Sequence, residues 1–304
     1  MKRSSTGSGK AVKAGTVLLQ KGMPVSDAFH AVMLAGLAHL HANEYGVMTG
    51  RGHEHLHQMR VALRRLRSAV EIFGPLLPAP VVGRVERDAR WFGASLNAAR
   101  DWDVFVMETL PAFERSRWGR GVASDVATRC EGSRRRAHAP ARRAVRSHRY
   151  RSFKRSFPAL IAARDRPIRL DDFAAHAILR GPVEDFASAV LERRHGQVNK
   201  RGRGLGALSA RELHRLRIAI KKLRYAAVFF SGLYGTKAAH DFLKRLAQLQ
   251  DILGRMNDAA MAGRLMVHDS AKDNLQGWSR ARIAALRHEL NRAWKEYRSA
   301  EKFW

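Results

Sequence analysis

The sequence has almost no cysteine and no long apolar run. Cys130 is the only cysteine in 304 residues, so no intrachain disulfide can form. This excludes the disulfide-stapled secreted scaffolds and fits a reducing compartment, so we expect a cytoplasmic protein in which Cys130 is an inert helical residue. No run of 18 apolar residues occurs, and a transmembrane span is therefore not expected.

Proline is absent from the C-terminal part of the chain. All nine prolines lie at or before Pro182, and the last 122 residues have none, as is typical of long helices. Apolar residues recur at helical spacing, and no convincing alternating strand pattern occurs. We therefore predict an all-α protein. The predicted helices are 26–42, 54–73, 82–109, 112–137, 140–163, 171–200, 209–230, 238–267 and 277–300, with loops at Gly46–Gly52, Pro75–Pro80 and Gly202–Gly206.

Acidic residues are scarce relative to basic ones. The chain has 56 Lys and Arg against 27 Asp and Glu, which gives a formal net charge of +29. A compact fold with this charge repels itself, and a polyanionic partner would relieve the repulsion. Nucleic acid, an acidic membrane surface and polyphosphate all fit this charge.

A segment of the chain occurs twice. HQMRVALRRLRSAVEIF (57–73) and HRLRIAIKKLRYAAVFF (214–230) are identical at seven of 17 positions, with an offset of 157 residues. The same offset pairs Phe29 with Phe186 and Asp101 with Asp258. We therefore expect two repeated helical bundles related by a pseudo-twofold axis.

Each copy carries two stripes at helical spacing. Leu56, Met59, Leu63 and Leu66 form an apolar seam that predicts a core-facing side. A second stripe lies about 110° around the helix from the seam. We call this second stripe the basic row of each copy. The basic rows are His57, Arg60, Arg64 and Arg67 in the first copy, and His214, Arg217, Lys221 and Arg224 in the second.

The basic rows have no acidic neighbours in the sequence. No Asp or Glu falls between Glu54 and Glu71, or between Glu212 and Asp241. Guanidinium groups about 5 Å apart along a helix suit the phosphates of a linear polyanion. The first residue of each row is a histidine that could donate a hydrogen bond to phosphate, and a capping or packing role is the alternative.

A third basic block spans residues 134–155, and no acid occurs between Glu131 and Asp165. Arg142, Arg146 and Arg149 are predicted to share a helix face and to add contacts to an anion. A solvated or membrane-proximal face is an equally good interpretation.

The motifs of enzymes are weak or absent. His53, Glu54 and His57 spell the H-E-x-x-H of zinc proteases, but the repeat replaces the first two by Ala210 and Arg211, so we expect no metal site. Neither a Walker motif nor G-x-S-x-G occurs, and we expect no cofactor and no catalysis. Aromatic residues make up 8% of the chain and do not interleave with the basic rows, which disfavours nucleic acid.

Two acidic positions have a structural interpretation. Asp101 and Asp103 in RDWD correspond to Asp258 and Ala260 in the second copy, so only the first carboxylate is repeated. We expect Asp101 and Asp258 to pair with Arg or Lys on neighbouring helices and so to order the basic rows.

The paired motifs resemble a known family. HQMRVALRRLRSAVEIF with LNAARDWDVF, HRLRIAIKKLRYAAVFF with LQDILGRMNDAA, and the C-terminal WKEYRSAEKFW are similar to the CHAD domain, the conserved histidine α-helical domain. The resemblance covers about residues 25–304, with halves at about 25–165 and 166–304, after a flexible basic lead-in or linker at 1–24. It implies two helical bundles with pseudo-twofold symmetry.

The resemblance also implies a function. It implies non-catalytic binding of inorganic polyphosphate and association with polyphosphate granules, with nucleic acid as the alternative partner. The family's histidines match His57 and His214. Its cations match Arg60, Arg64, Arg65, Arg67, Arg217, Lys221, Lys222 and Arg224, of which Arg65 and Lys222 lie about 120° from the basic rows.

CHAD domains often follow a CYTH triphosphatase domain. The CYTH signature E-x-E-x-K is absent from this sequence, so no triphosphatase activity is expected. The chain is either a stand-alone module or the C-terminal part of a fusion.

Overall fold

The computed structural model describes residues 9–162, 173–235, 237–265 and 271–304. These residues form twelve α-helices and no strand, with a single isolated bridge between Pro24 and Pro182. The prediction of an all-α chain is confirmed for them. The helices are α1 (Val25–Ala42), α2 (Glu44–Thr49), α3 (His53–Phe73), α4 (Ala79–Val104), α5 (Leu110–Glu114), α6 (Ala123–Arg146), α7 (His148–Ala162), α8 (Phe173–Arg180), α9 (Val183–Arg201), α10 (Ala210–Phe230), α11 (Lys237–Leu265) and α12 (Lys272–Arg298).

The loop expected at Gly46–Gly52 is partly helical. Helix α2 extends to Thr49, and Gly50 ends it in the left-handed conformation with φ 73°. Gly52 precedes α3 with φ 84°. Residues with a Cβ rarely adopt these angles, so the two glycines allow the chain to turn directly from one helix into the next.

Four predicted helices are interrupted, and one of them, 140–163, breaks at Ser147 between α6 and α7. The prediction of a continuous helix at 112–137 is wrong, because α5 ends at Glu114 and α6 begins at Ala123, with Gly121 between them at φ 80°. The prediction at 171–200 is wrong at Pro182, which lacks a backbone donor and separates α8 from α9. The predicted 82–109 helix changes at Phe105–Thr109 into a π-helical turn. The predicted helical residues 163, 171–172 and 266–267 lie outside the described residues.

The chain divides into two compact units. The first contains residues up to Val17, Ser26–Arg100 and Arg135–Leu179, and the second contains Leu18–Val25, Asp101–Arg134 and Arg180–Trp304. The units are therefore interleaved in the sequence, whereas we expected consecutive halves. Helix α3 belongs to the first unit and helix α10 to the second.

The first unit is built around buried aromatic rings. Phe92 packs against Tyr150 with ring centroids 4.5 Å apart, and Phe153 packs against Phe157 at 4.8 Å. The Tyr150 hydroxyl donates a hydrogen bond of 2.6 Å to Glu44. Burial and the adjacent Glu44 carboxylate both raise the pKa of Tyr150, so the phenol stays protonated and anchors α7 to α2.

The second unit has two aromatic clusters. Phe242 contacts Tyr297, Phe303 and Trp304, which packs the C-terminal segment against α11. A second cluster gathers buried residues from the π-helical turn and from helices α5, α6, α11 and α12, and it includes Phe105, Phe113, Cys130 and Trp278. Cys130 is thus a buried helical residue that forms no disulfide.

The repeat places equivalent pairs in equivalent contacts. Phe29 packs on Phe73 at 5.4 Å in the first unit, and their repeat counterparts Phe186 and Phe230 pack at 6.2 Å in the second. The same two positions therefore join α1 to α3 in the first unit and α9 to α10 in the second.

No helix among the described residues is long and apolar enough to cross a membrane.

Candidate functional site

Helix α3 presents the first basic row beside its buried seam. Leu56, Met59, Leu63 and Leu66 are each at most 3% exposed, so the apolar stripe faces the core as predicted. His57, Arg60 and Arg64 are half-buried, and Arg67 is exposed. Since the row flanks the seam, its aliphatic stems are covered while its charged ends reach solvent.

The cations of α3 differ in their partners. Arg60 donates a 2.6 Å hydrogen bond to the Asn97 side chain on α4. Neither Arg64 nor Arg67 has a hydrogen bond or ion pair with another described residue. The Nε of Arg64 is also buried without a hydrogen-bond acceptor, which is costly unless a ligand supplies one.

Helix α10 is held firmly where the second row begins. Ser209 and Glu212 form a reciprocal capping box at its N-terminus. Arg287 on α12 donates to the Leu208 carbonyl at 3.1 Å, which fixes the preceding turn. Arg194 on α9 is 4% exposed and donates to the Lys222 carbonyl at 2.7 Å, so a buried cation lies behind the middle of α10.

The second row resembles the first in placement. Arg217, Lys221 and Arg224 are half-buried, and His214 is exposed. His214 and Arg224 have no hydrogen bond or ion pair with another described residue. Across the two rows, Arg64, Arg67, His214 and Arg224 are thus available to an external anion, and we call them the open row residues.

The two matched cations outside the rows have other surroundings. Arg65 donates to the Gly15 carbonyl at 3.3 Å and so contacts the N-terminal segment. Lys222 is half-buried, and its carbonyl accepts from Arg194.

The third basic block is largely committed to internal contacts. The shared face predicted for Arg142, Arg146 and Arg149 is wrong, because α6 ends at Arg146 and α7 begins at His148. Arg146 donates to the Met48 carbonyl at 2.8 Å, at the C-terminal end of α2. Arg149 pairs with Asp88 at 3.3 Å and lies 4.4 Å over the Trp91 ring. Arg142 is half-buried and has no such partner among the described residues.

The H-E-x-x-H stretch opens helix α3. His53 is the first residue of the helix, and Glu54 accepts a 2.7 Å hydrogen bond from Gln58. Within the described part of the chain, no group of three or more His, Cys, Asp or Glu side chains is arranged to hold a metal ion.

Asp101 and Asp103, the two acidic residues of RDWD, lie in different surroundings. Asp103 is fully buried and pairs with Arg134 at 2.8 Å. Asp101 and its repeat counterpart Asp258 line the same small cavity of about 20 Å³ within the second unit. The equivalent carboxylates are thus brought together, although they lie 157 residues apart.

The N-terminal segment contacts the helices of the first unit. Val12 exchanges hydrogen bonds with the Asn43 side chain at 3.1 and 2.9 Å. His39 Nε2 lies 3.1 Å from both the Val12 carbonyl and the Gln58 side-chain oxygen. His39 therefore links Val12 to Gln58, the residue next to His57, although Val12 falls in the lead-in that we expected to be flexible.

His39 makes the stability of this contact dependent on pH. Burial lowers the pKa of His39 below its usual 6.5, and the nearby charge of Arg65 acts in the same direction. The unfolded chain therefore takes up a proton before the folded chain does. The stabilisation is complete above about pH 6.5 and declines as the pH falls through the folded pKa.

We expect urea denaturation between pH 7.5 and 5.5 to show a steeper loss of stability in the wild-type protein than in His39→Gln. Equal slopes would contradict a neutral buried His39.

A cationic cleft lies on the side of α10 that carries Arg215, away from the basic row, and it was not predicted from the sequence. Its volume is about 510 Å³, and Lys200, Arg201, Arg203 and Arg215 line it. Glu212 is the one acid among the described residues of its wall, and it is hydrogen-bonded to Ser209. The four cations come from the end of α9, the following turn and α10, so only the tertiary fold brings them together.

A protein-family model matches most of the chain. The model of the CHAD domain matches residues 31–267. The chain belongs to the CHAD domain family. CHAD domains are generally non-catalytic binding domains.

Solved structures agree with the CHAD assignment. The crystal structure of the CHAD domain from the plant Ricinus communis is 30% identical, with a TM-score of 0.80, and the match covers 96% of this chain and 98% of that one. PptA from Streptomyces chartreusis is 17% identical with a TM-score of 0.64 over 91% of this chain and 99% of that one, a likeness of fold alone. No curated protein matches this CHAD chain in sequence.

Proposed function

We propose that this CHAD chain binds inorganic polyphosphate through the two basic rows and does not transform it. The observation that carries the proposal is the set of open row residues, Arg64, Arg67, His214 and Arg224. They lie on duplicated helices beside the core and have no acidic partner among the described residues. A chain of phosphates would supply the missing negative charge along each row.

The ligand chemistry follows from the row residues. Each arginine can donate two parallel hydrogen bonds to one phosphate group, and the next cation follows about one helical turn, or roughly 5 Å, further along. A polymer of closely spaced phosphates can contact several cations of a row at once, whereas a single phosphate reaches one or two. The formal charge of +29 adds long-range attraction.

Nucleic acid is the alternative polyanion. The net charge favours it equally, but the two rows consist of histidine, arginine and lysine only, so they offer phosphate contacts without an aromatic platform for bases. Polyphosphate needs phosphate contacts alone, which is why we prefer it. In the cell, such binding would hold the protein, or a domain fused to it, in the cytoplasm at polyphosphate granules.

The proposal is tested by calorimetric titration with long-chain polyphosphate, followed by competition. We expect saturable binding, and we expect RNA or DNA at equal phosphate concentration to displace little of the polyphosphate. Absence of binding would refute the proposal. Efficient displacement by nucleic acid would favour the alternative, and release of inorganic phosphate, abolished by a chelator, would indicate an enzyme.

A further inference from the structure

A pocket in the second unit adjoins the start of the second basic row. It is formed by α10, α11 and α12 and has a volume of about 540 Å³. Ligand pockets for organic molecules typically measure about 300–1,000 Å³, so this one is much larger than a phosphate group requires.

The inner surface of the pocket is apolar. Leu213, Leu253 and Met256 line it and are each at most 7% exposed. Met261 and Ile283 complete this surface and are half-buried. Bare phosphate would lose hydration against such a surface, whereas a flat organic group would gain contact with flexible thioethers and branched side chains.

The rim of the pocket is cationic. Arg211, His214, Arg217, Arg264 and Arg287 line it, and no Asp or Glu occurs among the described lining residues. His214 and Arg217 also belong to the second basic row. A ligand with an organic head in the pocket can therefore place its phosphates on the row.

Two residues of the pocket differ in charge from their counterparts in the first copy of the repeat. With the offset of 157 residues, its wall residue Ala260 replaces Asp103, and its rim residue Arg211 replaces Glu54. Both exchanges remove a carboxylate from the second copy, and both raise the positive potential around an anion bound there. Asn257 adds one amide group to an otherwise apolar interior.

We propose that this pocket binds the organic head of a nucleoside polyphosphate, with the base against the apolar surface and the phosphates on His214 and Arg217. The inference rests on the proposed function, since it uses the same row for the phosphate chain. A nucleoside polyphosphate would then compete with polyphosphate at the second row, which would link binding of the polymer to the supply of nucleotide.

The test compares ATP with inorganic tripolyphosphate in the absence of divalent metal. Tripolyphosphate carries at least as much negative charge as ATP, because the ester bond of ATP replaces an ionisable oxygen. Charge alone therefore predicts that tripolyphosphate binds as tightly or more tightly. We expect ATP to bind about tenfold more tightly, which is the order of the gain from burying an apolar group of this kind.

Two variants and a control connect the difference to the pocket. Ala260→Leu fills the pocket, and Met261→Gln makes its surface polar at nearly constant shape. We expect each to bring the affinity for ATP to that for tripolyphosphate, while Ala238→Leu, at a half-buried alanine of α11 outside the pocket, preserves the tenfold difference. Equal affinities for ATP and tripolyphosphate in the wild-type protein would overturn this inference alone. Failure of the wild-type protein to bind long-chain polyphosphate would overturn the proposed function instead.

Discussion

Changing the four open row residues to glutamine together is expected to weaken the binding of long-chain polyphosphate about 100-fold or more. Arg64, Arg67 and Arg224 each offer a charge-assisted hydrogen bond of about 1.5 kcal/mol or more, and His214 offers a further donor. The sum is not fully additive, which makes 100-fold a conservative expectation. Calorimetric titration of the variant and the wild-type protein measures the ratio.

These variants also separate binding from folding. The four side chains have no described internal hydrogen bond or ion pair, so their loss leaves the folded state nearly unchanged. A matched control changes Arg84, Arg115, Lys244 and His148 to glutamine, which removes the same formal charge from exposed positions outside both rows. We expect the control to lose less than threefold in affinity, as general screening of charge predicts. Equal losses in the two variants would show that net charge, not the rows, determines binding.

Polyphosphate affinity is expected to fall steeply with ionic strength. If six row cations contact phosphate, with a coefficient of about 0.7 per contact as for single-stranded nucleic acid, the logarithmic slope is about −4. Raising the salt concentration from 50 to 200 mM would then weaken binding by roughly 250-fold. Titrations at four or five salt concentrations give the slope.

The slope also counts the contacts that a variant has lost. Removing Arg64, Arg67 and Arg224 should make it shallower by about 2, since three of six contacts disappear. The control variant should keep the wild-type slope, because its affinity is lowered by the same factor at every salt concentration. A wild-type slope near −1 would mean that the polymer makes only a local contact, and would contradict binding along both rows.

The helices of this chain could be predicted from the sequence where the periodicity of apolar residues is long and uninterrupted. The segments 54–73 and 209–230 match α3 and α10 within one residue, because an apolar seam runs along each of them. The interruptions were missed because they depend on local backbone requirements. Gly121, at positive φ, lies in the turn between α5 and α6, and the Gly181–Pro182 step separates α8 from α9. Helix α2 is only six residues long, too short for a periodic signal.

The two rows of the candidate site could be proposed from the sequence, but their surroundings could not. The repeat and the lack of nearby acids singled out His57, His214 and the row arginines from the sequence alone. Arg146 and Arg149 looked equivalent to them in composition, yet the fold gives them Met48 and Asp88 as partners. The apolar pocket and the cationic cleft beside α10 are each formed by residues that are distant in the sequence. A local sequence pattern cannot predict such sites.

The most direct test is a crystal structure of the protein with long-chain polyphosphate. The account predicts phosphate groups within about 2.7–2.9 Å of the Arg64 and Arg67 guanidinium nitrogens on α3, and equally close to His214 and Arg224 on α10. Phosphates ordered only in the cleft of Lys200, Arg203 and Arg215, with both rows free of ligand, would contradict it.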